Sequence, residues 1–205
     1  MIHIERGAEP DFWSDYKRKN PKITYDELDL SNEGKNIRQR IREYNIEQQH
    51  GLCAYCCKGI SVDTSINEHM KPRGVPQYSS FSMDYDNLVA CCKSEGEDST
   101  CSASKGNKYD GALFVSPLDV NCESYFEYYP NGEVVSDSPK GQYMIDLLNL
   151  NSLRLKRARL AQLKVCEAYH NADLVRKLFL TPDSDNRLQQ FIDIIKYFDT
   201  KFGWQ

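Results

Sequence analysis

The sequence predicts an α+β fold around a small metal-bound core, and three observations predict it. Apolar residues recur at helical spacing near both ends, as in Ile37, Ile41, Tyr44 and Ile46, and again in Leu188, Phe191, Ile192, Ile195 and Phe198. Short β-type runs, "LVACC" and "YFEYYPNGEVV", lie between them. Cysteines gather in the same middle region, with Cys53 and Cys56 in C-x2-C spacing and Cys91, Cys92 and Cys101 farther on.

Taken in order, "SNEG" opens a helix that runs to Gly51, which is suited to a C-cap just before Cys53. "CAYCCKG" is too small for an element and reads as a knuckle. "GISVDTSINEHMKPRG" reads as two short extended pieces around a turn, stopped by Pro72. "VPQYSSFSMDYDN" reads as a polar loop, "LVACC" as a strand, and "CSASKGN" as the opening of a helix. Asn131-Gly132 marks a β-hairpin, because both residue types tolerate positive φ. Two further helical stretches follow, the first with Leu153, Ala161, Leu163 and Val165 on its apolar spacing. The layout divides into an N-terminal extension and helix (1–47), a metal-bound core (48–115), and a hairpin with C-terminal helices (116–205), packed as one compact unit.

Size and charge bound the function. A chain of 205 residues, 40% of them hydrophobic, can bury a real core, which excludes wholesale disorder. The net charge of -4 argues against coating nucleic acid by bulk charge, but local patches remain available. Two are basic: Arg38, Arg40 and Arg42 in "IRQRIR", and Arg154, Lys156, Arg157, Arg159 and Lys164 in "LRLKRARLAQLK". Either alone reads first as a solvated helix face. No apolar run spans a membrane, and "MIHIERGAEPDF" lacks the apolar stretch of a signal peptide, so the expected compartment is the cytoplasm. In a reducing compartment, eight cysteines point to metal binding rather than disulfides.

Two thiolates at C-x2-C spacing can meet one Zn²⁺, and a second pair from Cys91, Cys92 and Cys101 would close a tetrahedral structural site. Cys57 could replace Cys56, although Cys56 gives the tighter spacing. A redox pair is the competing reading, but no thioredoxin-like βαβ pattern surrounds it. Cys122 and Cys166 read as buried free thiols. Glu68 and His69 adjoin at the end of a predicted strand, where neighbours point to opposite sides. A twist or bulge would be needed to turn both onto one phosphate.

The ordered set "CAYC", "EHMKPRG", "DYDNLVACC", a further cysteine and "SKGN" resembles the HNH endonucleases, the ββα-metal or His-Me-finger nucleases with a four-cysteine zinc knuckle, over residues 48–110. With "IERGAEP", "NCESYFEYYPNGEV" and "LLNLNSLRLKRAR", most of the chain is similar to the HNH proteins of Septu-type, retron-associated anti-phage defence systems. The resemblance implies a ββα-metal core flanked by an N-terminal helix, a hairpin and C-terminal helices. It also implies a nucleic-acid substrate, DNA or RNA, and a partner ATPase of the SMC/ABC-like kind.

By position, His69 would be the general base, Glu68 a ligand of the catalytic Mg²⁺ or Mn²⁺, and Asn87 the residue that orients the base. The family frame places a cysteine five residues after that Asn, which selects Cys92, with Cys101, Cys53 and Cys56 as the other structural Zn²⁺ ligands. Cys91 then falls where a small packed residue is usual. Two departures stand out. The second pair is C-x8-C around the acidic insert "KSEGEDST", and Ser102 stands where a third metal-binding letter is common. Asn107 is the nearest oxygen ligand, and Lys105 and Arg73 are candidate phosphate contacts.

A neutral His suits proton removal from water near pH 7. A hard divalent ion with oxygen ligands suits phosphodiester hydrolysis. The competing function is a zinc-stabilised adaptor that binds nucleic acid or protein without cutting.

Overall fold

The computed structural model describes residues 1–94, 96 and 98–203. The acidic insert between Cys92 and Cys101 includes Glu95 and Glu97, which lie outside the described residues. The fold is α+β, with two small two-stranded sheets among helices.

The N-terminal part carries α1 (Asp11–Lys19), a 3-10 turn at Asp26–Leu30 and α2 (Asn32–Gln48). Ser31 caps α2, its hydroxyl accepting from Gly34 N at 2.9 Å, which satisfies one of the amides left free by the first turn. Gly34 also lets that turn lie against the 3-10 segment, because a Cβ there would collide with the Leu28 carbonyl. At its C-terminus α2 closes through His50 and Gly51, both at positive φ, with Gly51 N reaching Ile46 O at 2.8 Å. Trp13, Tyr25, Leu28, Ile41 and Leu88 form a core between these helices and the central sheet.

That sheet pairs β1 (Ser65–His69) with β2 (Leu88–Cys92), antiparallel and in unbroken register from Ser65 opposite Cys92 to His69 opposite Leu88. The "GISVDTSINEHMKPRG" stretch holds one strand, β1, rather than two extended pieces. Its first part makes only a single bridge, Leu52 to Gly59, because it is spent on the knuckle. The "VPQYSSFSMDYDN" loop is also more ordered than expected. It forms 3-10 turns at Pro76–Phe81 and Tyr85–Asn87, and Tyr85 is buried against the helical core. The one-turn helix α3 (Ser102–Lys105) follows the last knuckle cysteine.

The hairpin is present but short, with β3 (Glu127–Tyr128) against β4 (Val134–Val135) and Gly132 at φ +83° in its loop. The C-terminal part consists of α4 (Pro139–Leu147), α5 (Leu153–Glu167), α6 (Ala172–Phe179) and α7 (Ile192–Phe202). The inward face of α5 differs from the sequence expectation. Leu155, Arg159, Leu163 and Cys166 are buried, whereas Leu153 and Val165 are exposed. The reason is Arg159, whose guanidinium donates to the carbonyls of Leu150 (2.8 Å) and Gly132 (3.2 Å) and so turns that face inward. Arg159 is therefore no part of an exposed basic track. Cys122 and Cys166 are buried free thiols.

The main hydrophobic cluster draws residues from Met1 to Ile195, so the knuckle, hairpin and C-terminal helices share one core. Among the described residues, no helix is long and apolar enough to cross a membrane.

Candidate active site and metal centre

The knuckle folds as the C-x2-C spacing requires. Cys53 N donates to Lys58 O at 2.8 Å and Cys57 N to Cys53 O at 3.1 Å, with Cys57 at φ +56°. Gln49 clips the knuckle to β2. Its amide donates to Leu52 O (2.7 Å) and Ala90 O (2.8 Å), and its carbonyl accepts from Ala90 N (2.7 Å). Nothing in the sequence pattern marks Gln49 for this task.

The Sγ atoms of Cys53, Cys56, Cys92 and Cys101 lie within 4.8 Å of one another, all buried. They are the four that the family frame selects. Burial alone would raise the Cys53 thiol, but hydrogen bonds from Cys101, Cys56, Cys91 and Cys92 overcome it and hold the group well below the usual thiol range. Cys92 is pulled down to about 5, chiefly by its hydrogen bond with Cys101. Cys101 is driven well up, by its hydrogen bond to Cys53 first. Such a cluster needs a cation before all four sulfurs can ionise, and the donor set suits a closed structural Zn²⁺ site. Cys91 lies outside the set but touches it, with its Sγ 3.7 Å from that of Cys53. Burial raises its thiol well above the usual range.

A cavity of about 450 Å³ opens beside this centre, bordered by Arg38, Glu68, His69, Arg73, Ser102 and Asn107. The expected bulge is absent. The register of β1 is unbroken, and Glu68 and His69 still border one cavity because elements from both sides close over the strand end. On the Glu68 side, α3 supplies the Ser102 hydroxyl, which donates to Oε2, and Lys105, whose Nζ lies 2.9 Å from Oε1. On the His69 side, the Tyr25 ring packs T-shaped against the imidazole at 4.5 Å between centroids, and its hydroxyl accepts from Asn67 Nδ2 at 2.6 Å.

His69 Nε2 bonds the Ser82 carbonyl at 2.9 Å. Burial depresses its pKa to about 4, with the positive charges of Lys105 and Arg38 pushing the same way, so the ring is neutral near pH 7. Asn87 does not border the cavity. Its side chain accepts from Lys71 N (2.7 Å) and donates to Lys71 O (3.0 Å) and Phe81 O (3.1 Å), which fixes the loop that follows His69. Arg6 holds the same region from the N-terminal segment, donating to Tyr85 O at 2.6 Å, to Asn45 Oδ1 at 2.9 Å and to Leu88 O. Asn107 lies against Gly74, where any Cβ would crowd its amide. Lys105, read from sequence as a surface phosphate contact, is buried on Glu68.

Among the described residues, the only carboxylate bordering the cavity is Glu68, faced by Arg38 and Arg73. One carboxylate, an amide oxygen and open volume fit a Mg²⁺-type ion that takes its remaining ligands from water and substrate phosphate. Tyr25, Arg38 and Ser82 reach the site from distant segments. Only Arg38, in a basic run, carried any sequence signal.

No protein-family model matches the chain. Two curated proteins are similar over much of its length. "Retron Vc95 putative HNH endonuclease" of Vibrio cholerae serotype O1 biovar El Tor is 27% identical over 177 residues, 80% of this chain and 83% of that protein. "Retron Ec83 putative HNH endonuclease" of Escherichia coli is 28% identical over 145 residues, 67% of this chain and 50% of that protein, so the match spans half of the latter. The β1–β2–α3 unit and the four-cysteine cluster thus belong to a chain that is similar to two retron proteins, each named a putative HNH endonuclease.

Proposed function

We propose that the chain is a metal-dependent HNH endonuclease that hydrolyses phosphodiester bonds of nucleic acid. The observation that carries this reading is the neutral, anchored His69 in a cavity that also presents Glu68 and two arginines. His69 Nδ1 takes the proton of the attacking water, because Nε2 is committed to the Ser82 carbonyl. Asn87 holds the loop after His69 so that the ring keeps its direction. Arg38 and Arg73 bind phosphate oxygens of the strand. A divalent ion, Mg²⁺ or Mn²⁺, held by Glu68 with Asn107, would polarise the scissile phosphate and stabilise the leaving 3′ oxygen. Zn²⁺ on Cys53, Cys56, Cys92 and Cys101 is structural, since a thiolate shell leaves no open position.

The relatives' names place them with retrons. We extend this to a role in anti-phage defence of the Septu type, beside an SMC/ABC-like ATPase, in the cytoplasm. The eight free cysteines accord with a reducing compartment.

The test is cleavage of a panel of DNA and RNA, single- and double-stranded, by the purified chain with and without the ATPase, at Mg²⁺ and Mn²⁺. Cleavage that vanishes in His69→Ala supports the reading. Binding without cleavage under every condition would instead favour the zinc-stabilised adaptor.

A further inference from the structure

Lys105 stands where a cation would stand. Ser102 and Lys105 lie three residues apart on α3, so they share a face, and both reach Glu68. The Ser102 hydroxyl takes Oε2, and Lys105 Nζ takes Oε1 at 2.9 Å. Lys105 is only 1% exposed, and its ammonium also donates to the His69 carbonyl at 3.0 Å. Its backbone is tied to the knuckle, Lys105 N donating to Cys101 O at 2.9 Å, so the ammonium is positioned by the same turn that delivers the last cysteine.

The charges around the cavity sharpen the consequence. Among the described residues Glu68 is the only carboxylate bordering it, with Lys105 behind and Arg38 and Arg73 on the rim, each of the two arginines paired with an aspartate. With Arg38 and Arg73 paired to Asp29 and Asp26, a divalent cation entering alone meets the Lys105 ammonium already set against the Glu68 carboxylate. A phosphate can instead draw Arg38 and Arg73 from their partly exposed aspartates and offer the Lys105 ammonium a second anion.

We infer that Lys105 is an internal cation that competes with the divalent ion for Glu68, so that the ion enters together with a phosphate that takes over the ammonium. Metal and phosphate binding are then coupled, each raising the affinity for the other. The identity of the ion and the phosphate rests on the nuclease reading above, but the competition at Glu68 does not.

The test is Mn²⁺ binding by titration calorimetry to the zinc-loaded full chain without nucleic acid. Lys105→Met should bind Mn²⁺ roughly fivefold or more tightly than the unmodified chain, and adding Glu68→Gln should remove the gain. Equal or weaker binding by Lys105→Met, at unchanged zinc content, overturns the inference. Should Lys105→Met not fold, the unmodified chain decides the matter against Glu68→Gln alone. Their Mn²⁺ affinities should agree within about twofold, whereas a loss of about tenfold on removing the carboxylate would show Glu68 already free to ligate and overturn the inference. A chain that gains Mn²⁺ affinity in Lys105→Met yet never cuts nucleic acid keeps this inference and sinks the nuclease reading.

Discussion

His69 donates its Nε2 hydrogen to the Ser82 carbonyl across 2.9 Å. A carbonyl can only accept, so the partner fixes the tautomer and leaves the lone pair of the neutral ring on Nδ1. The bond also sets the ring plane, with the Tyr25 ring packed T-shaped against the imidazole. A base that must meet a water in one direction gains both tautomer and orientation from these two contacts.

His69→Ala should therefore lower cleavage by about two to four orders of magnitude, the usual contribution of a positioned general base. Zinc content should stay unchanged, since His69 is not among the clustered cysteines. Single-turnover cleavage beside metal analysis checks both. Retained cleavage would remove His69 from the mechanism.

The depressed pKa of His69 sets a pH signature. Its folded value of about 4 lies below the ordinary 6.5. Above pH 6.5 the ring is neutral in both folded and unfolded chains and contributes nothing to pH dependence. Below it the unfolded chain binds the proton first, so stability falls until about pH 4, by up to about 3 kcal/mol. His69→Gln should flatten that slope in denaturant titrations between pH 7 and pH 4. In activity, the acidic limb of kcat/KM should lie well below pH 6.5, and a limb at 6.5 would contradict the burial of the ring.

Asn87 offers a different contrast. Asn87→Ala removes three hydrogen bonds to the Lys71 and Phe81 backbone and strands buried polar groups, for a loss of about 1–3 kcal/mol each where no water replaces them. Asn87→Asp keeps the acceptor but cannot donate to the two carbonyls, and should be no better than Ala. Thermal unfolding ranks the three chains, and an Asp variant as stable as the native one would show that the two donated bonds carry no weight.

Cys91 and Cys92 are neighbours on β2 with different expected fates. Cys92→Ala should lose stoichiometric zinc, because it removes one of four mutually close sulfurs. Cys91→Ala should retain one zinc per chain and lose only packing. Zinc analysis of the two purified variants decides this, and loss of zinc from Cys91→Ala would move that residue into the ligand shell.

What the sequence makes legible is what local spacing encodes. The C-x2-C turn, the "LVACC" strand and the Asn-Gly hairpin each depend on neighbours a few residues apart, and each is found. The inward face of α5 is not legible, because Arg159 faces inward only through carbonyls supplied by Leu150 and the hairpin. Lys105 misleads for the same reason. A lysine beside a glycine reads as surface charge, and its burial depends on Glu68, 37 positions earlier in the chain. Tyr25 and Ser82 act through ring packing and a backbone carbonyl, which no motif records.

The acidic "DELDL" turn bears on how nucleic acid reaches the site. Gly34 lets it lie against α2, and its Asp26 and Asp29 pair with Arg73 and Arg38, the two arginines on the cavity rim. Both pairs are partly exposed, so each is weak and a phosphate can displace it. The two carboxylates thus hold the arginines in place while lowering their attraction for a strand. Asp26→Asn with Asp29→Asn should tighten nucleic-acid binding at low salt, whereas Arg38→Ala with Arg73→Ala should weaken it and reduce the slope of log affinity against log salt by about 1.5–2. Fluorescence anisotropy with labelled oligonucleotides at several salt concentrations measures both. An unchanged slope in the double arginine variant would place the strand elsewhere on the protein.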